Sequence, residues 1–447
     1  MSKAKLYSNI ANNYPSYQEI NGIKLNAYNW LESRQKDDNA EGLWRVHDAI
    51  YDLTDFINRH PGGVDWIKLT KGTDITEAFE IHHFNRNKVE HLLQTYRVRD
   101  AKLPRNFKFT FKETGFYRTL QHRIAEELKQ IDPKQDEFLS KVYIDLLFAA
   151  TILTSIFSVK FDSICLMLLS SLSMCYTIIS AHNFFHRRDN FRMYFFNLSF
   201  LNYKEWRISH AMSHHLYPNS LYDMEMALFD PFLCWIPNAK MKGFSQRYLS
   251  WLYSPVIYTF VCVGQLVKQF VFSFTSRTNL FEKSDLVPLV VPIAMLMFGN
   301  LNVVIVIKIW MQIILLNSFI FGLIGLNAGH HHPARVHDGD KVRDDLDWGI
   351  YSLDTVMDNS NLRKTHFLAL THFGHHALHH LFPTIDHGSL SKLYPVLFRT
   401  MKEFEVELDA YPWYHHVYGQ LQQLARIQPN PIDSLEKYRN RNRNKAE

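Results

Sequence analysis

The 447 residues include 24 histidines, and these are not scattered. Sixteen fall between His182 and His387, yet none lies between His215 and His330. His182 and His186 are four positions apart, which on a helix sets both rings on one face. His210, His214 and His215 repeat that spacing with an adjacent partner. His376, His379 and His380 stand at i, i+3 and i+4, with His372 a turn earlier on the same face and His375 beside them. His330, His331 and His332 form a run of their own. A buried group of neutral imidazoles must satisfy its acceptor nitrogens, and a metal ion does so. Eight or nine ligands exceed the four that one zinc takes and suit two metal ions with open positions. Imidazole serves zinc, copper, iron and nickel, so ligand type alone does not choose among them.

A second pattern lies nearer the start, in YDLTDFINRHPGGVDWIKLTKGTDITEAFEIHHF. Pro61, Gly62 and Gly63 force a turn directly after His60 and fix the direction of its ring. Asp74 and Glu77 have the spacing of a helix N-cap and its N3 partner, opening a helix that delivers His82 and His83. With Phe56, Leu69 and Phe79 nearby, two such histidines can sandwich a flat apolar macrocycle. Two axial imidazoles saturate a haem iron, so the site would carry electrons rather than bind gas. A one-electron carrier in the same chain favours iron or copper over zinc for the other histidines.

The elements that must hold these groups are of two kinds. Hydrophobic residues are 47% and charged residues 21% of the chain, which excludes a disordered or low-complexity protein. The mean hydropathy of −0.20 averages polar segments with very apolar ones. A net charge of +5 is too small to argue for nucleic acid and is compatible with an anionic membrane face. The four cysteines show no paired spacing and read as buried thiols. The first residues carry no apolar stretch of a cleaved signal peptide. Phe116, Leu120, Ile124 and Leu128 recur every four residues, a surface helix that Thr114 would cap. Leu146–Val159 and Ser163–Phe185 lack charge and read as a helical hairpin through a bilayer. Leu286–Ile307 and Ile309–Ala328 read as a second hairpin, and Leu249–Phe274 as an interfacial helix. Four spans put both termini and all the histidine groups on one side, which the basic segments make cytosolic.

The first pattern of turn, glycine step and histidines resembles cytochrome b5 over about 55 residues. It implies haem b with His60 as one axial ligand and His83 as the other, His82 remaining a competitor. The His-x-x-x-His, His-x-x-x-His-His and His-x-x-His-His groups, in this order between apolar pairs, resemble the membrane fatty acid desaturase superfamily. The implied fold is an α+β cytochrome b5-like domain followed by an all-α, four-span membrane domain. The corresponding boundaries are an extension at 1–40, the haem domain at 41–100, a linker with its surface helix at 101–141, the membrane domain at 142–410 and a cytosolic tail at 411–447. The resemblance implies two non-haem irons held by His182, His186, His210, His214, His215, His376, His379 and His380. A ninth ligand would be one of His330, His331 and His332, and the His-x-Pro order favours His331. It further implies O₂ as co-substrate, an acyl-CoA or acyl-lipid substrate, an NAD(P)H-dependent cytochrome b5 reductase as partner, and the endoplasmic reticulum membrane as location. Hydroxylation of a fatty acyl chain or sphingolipid, or a haem carrier with a non-catalytic membrane domain, are the alternatives.

Overall fold

The computed structural model describes residues 7–19, 25–84, 86–275 and 281–446. Three short antiparallel strands, β1 (Trp44–Val46), β2 (Ala49–Tyr51) and β3 (Arg97–Asp100), pair in the order β1-β2-β3. Trp44, Val46, Tyr51 and Leu53 pack with Ile67, Phe79 and Leu93 into a core of their own. Around it lie α2 (Val64–Lys68) and α3 (Thr76–His82), preceded in the chain by α1 (Ala27–Asp37). The N-cap of α3 is Ile75 rather than Asp74, one residue later than the sequence signal placed it, and Asp74 Oδ1 accepts from the Thr76 backbone N–H.

Helix α4 (Phe116–Leu128) buries its apolar face against the protein and leaves His122 and Glu126 exposed. Phe116, Leu120 and Ile124 are fully buried, and Gly115 rather than Thr114 occupies its N-cap. It belongs to the largest apolar cluster, which joins Trp30 of α1 with Met212, Leu216, Trp348 and Leu378. Described residues before position 41, Ile10, Tyr17, Leu25 and Leu31 among them, pack into the same layer. Helix α5 (Pro133–Lys160) starts at an Asp132 cap and runs unbroken across residue 142. It forms a hairpin with α6 (Ile164–Phe185), tied by the Ser155–Ser170 hydroxyl pair at 2.6 Å. Beyond residue 411 the chain also stays packed: Gln420 and Gln423 of the helix Trp413–Ala425 are buried.

Among the described residues, four helices are long and apolar enough to cross a membrane: Pro133–Lys160, Ile164–Phe185, Ser245–Thr275 and Val303–Gly325. This corrects the second hairpin. No single helix covers Leu286–Ile307. Instead a 3-10 turn Lys283–Leu289 leads into the short helix α8 (Val290–Phe298), Gly299 ends it, and Asn302 caps α9 (Val303–Gly325). The apolar run therefore hides a break, because Gly299, Asn300 and Asn302 stop one helix and start the next. Lys308, which seemed to interrupt two spans, lies inside α9. The helix α7 (Ser250–Thr275), continuous with Ser245–Leu249, is tied to polar groups at both ends. Tyr253 donates to Phe232 O at 2.6 Å, and Lys268 Nζ lies 3.8 Å from Glu205. Its exposed side carries Trp251, Val256, Phe260, Val267, Phe270 and Phe274. The segment 283–298 starts beside Asn197 and Asn202 and ends against Val159 at the far end of α5. Its two parts rise about 27 Å, close to a ~30 Å hydrocarbon core.

Candidate haem and metal sites

The backbone turn after His60 leaves no room for a side chain. A Cβ on Gly62 would stand 2.8 Å from His60 Cε1. His60 Nδ1 donates to Gly63 O at 2.9 Å and His83 Nδ1 to Phe79 O at 2.8 Å, so each ring presents Nε2. The two rings face each other with centroids 6.4 Å apart. Two metal–nitrogen bonds of about 2.0 Å plus the two ring radii give roughly that separation, so the pair fits a bis-imidazole iron. Phe56 lies 5.9 Å from His60 and Phe79 5.0 Å from His83, supplying apolar walls. His82 points elsewhere: its ring lies 5.1 Å from Trp66, and its Nδ1 donates to Ala78 O at 2.8 Å. His60 and His83 are thus the pair that the fold brings together.

The other histidines converge in two buried sets. His182, His186, His210, His215 and His379 form one, and His214, His330, His376 and His380 the other, each with ligand atoms within 4.8 Å of one another. In the first set His182 Nε2 lies 2.7 Å from His210 Nε2, 2.9 Å from His186 Nε2 and 3.2 Å from His379 Nε2. One imidazole proton serves only one such contact, so most of these lone pairs face each other unless a cation lies between them. In the second set His330 Nε2 is 2.9 Å from His380 Nε2, while both ring nitrogens of His376 are buried without a partner. The residues fit metal ions on these observations. Burial, then the neighbouring rings, hold His215, His376, His379 and His380 well below the ordinary imidazole range. Neutral imidazole is the ligand form.

Local structure explains the division. Residues Arg207–His214 form a π-helical turn closed by His215 N–H to His210 O at 2.9 Å. In that wider winding His210 and His215, five apart, share one side, with ring centroids 4.6 Å apart, while His214 turns to the other set. Wide turns of this kind cluster at functional sites. His215 and His380 stack in parallel at 4.1 Å and join the two sets. His210 donates through Nδ1 to Glu225 and His214 to Asp223, each at 2.8 Å, orienting Nε2 inward as a carboxylate does for a metal-bound histidine. Burial lowers His214, yet Asp223 and Glu225 outweigh it and raise the ring to about 9.

His331 does not join either set. Its ring stacks on Trp235 at 4.0 Å, and His332 stacks on His415 at 4.9 Å. His330 takes the place instead, its Nδ1 donating to Thr355 O. The cause lies one residue earlier. Gly329 has φ +154°, and a Cβ there would meet Met357 O at 2.2 Å, so only glycine lets the chain swing His330 inward. That glycine was the available signal, and the His-x-Pro order was not. His387 approaches the first set, 4.4 Å from His379 between centroids, but spends Nδ1 on Asn183 Oδ1 at 2.9 Å. His366, His372 and His375 stand outside both sets.

The sets open onto a cleft with mostly apolar walls. His210, His214, His330 and His376 line it together with apolar residues that include Trp206, Val261, Phe321 and Phe373. Glu225 and Gln265 are the polar groups among these apolar walls.

The sequence pattern of the fatty acid desaturase family matches residues 163–412, more than half of the chain. The chain belongs to this family. A cytochrome b5-like haem/steroid binding domain matches residues 29–102, so the family's membrane domain here carries a haem-binding domain in front. Cytochrome b5-related protein of Drosophila melanogaster is 45% identical over 95% of the chain and 97% of its own length. Probable Delta(5) fatty acid desaturase C and Delta(5) fatty acid desaturase A of Dictyostelium discoideum are 23% and 22% identical, over 87% and 86% of the chain and 92% and 90% of their own lengths. No solved structure matches the chain. The desaturase match covers all nine clustered histidines, and the haem-domain match covers His60, His82 and His83.

Proposed function

We propose that the chain is an oxygen-dependent acyl desaturase with its own electron-carrying domain. His60 and His83 would hold haem b. His182, His186, His210, His215 and His379 would hold one non-haem iron, and His214, His330, His376 and His380 a second. The observation that carries this reading is the pairing of two buried, inward-facing imidazole sets opening onto an apolar cleft. A di-iron pair supplies the power to activate O₂ and remove hydrogen from an unactivated carbon chain.

The protein's share is position and exclusion. Trp206, Val261, Phe321 and Phe373 shape a slot for an acyl chain, and so decide which carbons reach the histidines. Asp223 and Glu225 keep His214 and His210 in one tautomer, with Nε2 free to bind. Fatty acyl-CoA or an acyl lipid fits the slot, and an NAD(P)H-dependent cytochrome b5 reductase is the fitting electron donor to the haem. The hairpins 133–185 and 283–325 cross the endoplasmic reticulum membrane. Ser245–Thr275 lies along the cytosolic face with its apolar side in lipid, since both its ends are tied to the histidine side. An even number of crossings leaves both termini cytosolic.

The test is reconstitution of detergent-purified protein with NADH, reductase, O₂ and fatty acyl-CoA or phospholipid. A new double bond is expected in the acyl products, lost in His379→Ala with haem content unchanged. Full desaturation by His379→Ala would refute the metal assignment, and a hydroxylated product would refute desaturation.

A further inference from the structure

His82 serves neither the haem pair nor the metal sets, yet it stands between them. Its Nδ1 donates to Ala78 O at 2.8 Å, which leaves Nε2 as a lone-pair acceptor. That Nε2 is buried and has no partner. On the metal side His186 would bind through Nε2, which meets His182 Nε2 at 2.9 Å, leaving Nδ1–H as a donor. His186 Nδ1 is likewise buried and without a partner. A metal-bound imidazole almost always donates its other N–H, and leaving a buried hydrogen bond unmade is destabilising. The two orphans are complementary, an acceptor from the haem domain and a donor from a metal ligand.

A run of packed and hydrogen-bonded groups links the two residues. Trp66 lies 5.1 Å from the His82 ring, and the Arg207 guanidinium lies 5.2 Å from the Trp66 ring. Arg207 Nε donates to Phe185 O at 2.9 Å, the residue before His186. Asp189 pairs with Arg207 at 2.7 Å and closes on the His60 turn, where a Cβ on Gly63 would lie 2.5 Å from its carboxylate. Burial, then His210 and His82, hold His186 well below the ordinary imidazole range.

We propose that His82 is the relay residue between haem and iron, its Nε2 accepting from one water that in turn accepts the Nδ1–H of His186. The relay rests on the functional reading above. One electron leaves a ferrous haem, which becomes ferric, and reduces one ferric ion of the pair to ferrous; no proton is transferred. The route runs from His83 through the peptide bond to His82, across the bridging water, and into a metal ligand. Electron tunnelling is faster through bonds and hydrogen bonds than across a gap, so this connection is shorter in effect than a packed apolar contact.

The test uses the full chain loaded with haem and iron. His82→Phe keeps a ring of similar size without nitrogen, His82→Leu removes the ring, and His82→Gln restores an acceptor. All three should keep the low-spin haem spectrum, the haem midpoint potential and the iron content. Anaerobic oxidation of the reduced haem by the ferric pair, followed by stopped flow, should slow about tenfold in His82→Phe and His82→Leu, with most of the rate recovered in His82→Gln. A wild-type rate in His82→Phe would overturn the hydrogen-bonded relay, and a wild-type rate in His82→Leu would put the route elsewhere. Loss of the low-spin spectrum would make His82 a ligand and overturn the relay. If the unmodified protein shows no such transfer at all, the coupling of haem to iron in the functional reading fails too.

Discussion

Two neighbouring histidines, His82 and His83, end the same short helix, and the backbone gives them opposite tasks. His83 faces His60 across 6.4 Å, while His82 leans on Trp66. His83→Ala should therefore abolish the low-spin haem spectrum, whereas His82→Ala should retain it, and absorption of the purified variants decides between them. Much of this scale was legible in the sequence. His60 was marked by the turn after it, and eight of the nine clustered histidines by helical spacing. His330 stood among three candidates with His331 favoured over it, because adjacent histidines at a helix end differ only in backbone direction, which Gly329 sets by its approach to Met357. Asp223 and Glu225 carried no stronger sequence signal than any acidic pair. Their role follows from the 2.8 Å contacts to His214 and His210, which only the folded chain creates.

Elements hold these residues through buried polar contacts as much as through apolar ones. Helix α4 meets α3 through Arg118 and Glu80, both almost fully buried, at 2.5 Å. Gln121 donates to Glu80 O at 2.8 Å in the same contact. Arg118→Leu leaves the Glu80 carboxylate buried with a weaker set of partners. Breaking such a pair costs about 3–5 kcal/mol. The haem domain should then melt earlier, seen as a lower midpoint for thermal loss of the haem absorption band. Glu80→Gln combined with Arg118→Leu should recover part of that loss, because the uncompensated charge is gone. The period of α4 was readable from Phe116, Leu120 and Ile124, but whether that face met lipid or protein was not. The same limit explains the spans. Apolar content fixed α5 and α6, yet composition cannot show that Gly299 and Asn302 divide one run, or that the wide turn at His210–His215 sends adjacent histidines to different sets.

Across the whole molecule the haem domain sits against the layer that carries the metal sets. Trp66, Leu69, Ala78 and Phe84 pack into the same cluster as Met212, Leu216 and Leu378. The order of domains was visible in the sequence because each has its own histidine pattern. Their docking was not, since it depends on Arg118 meeting Glu80, Arg207 meeting Trp66 and Asp189 meeting the turn at Gly63. With two hairpins crossing, tags at both ends should be equally open to protease in sealed microsomes, and protection of either tag would contradict that topology. The central claim is that one haem and one iron pair share this chain. Elemental analysis of purified protein, set against its haem content, tests it directly. The account predicts about three irons per chain with one haem, falling to about one in a variant lacking both His379 and His380. One iron per chain in the unmodified, iron-replete protein, all of it in haem, would contradict the account.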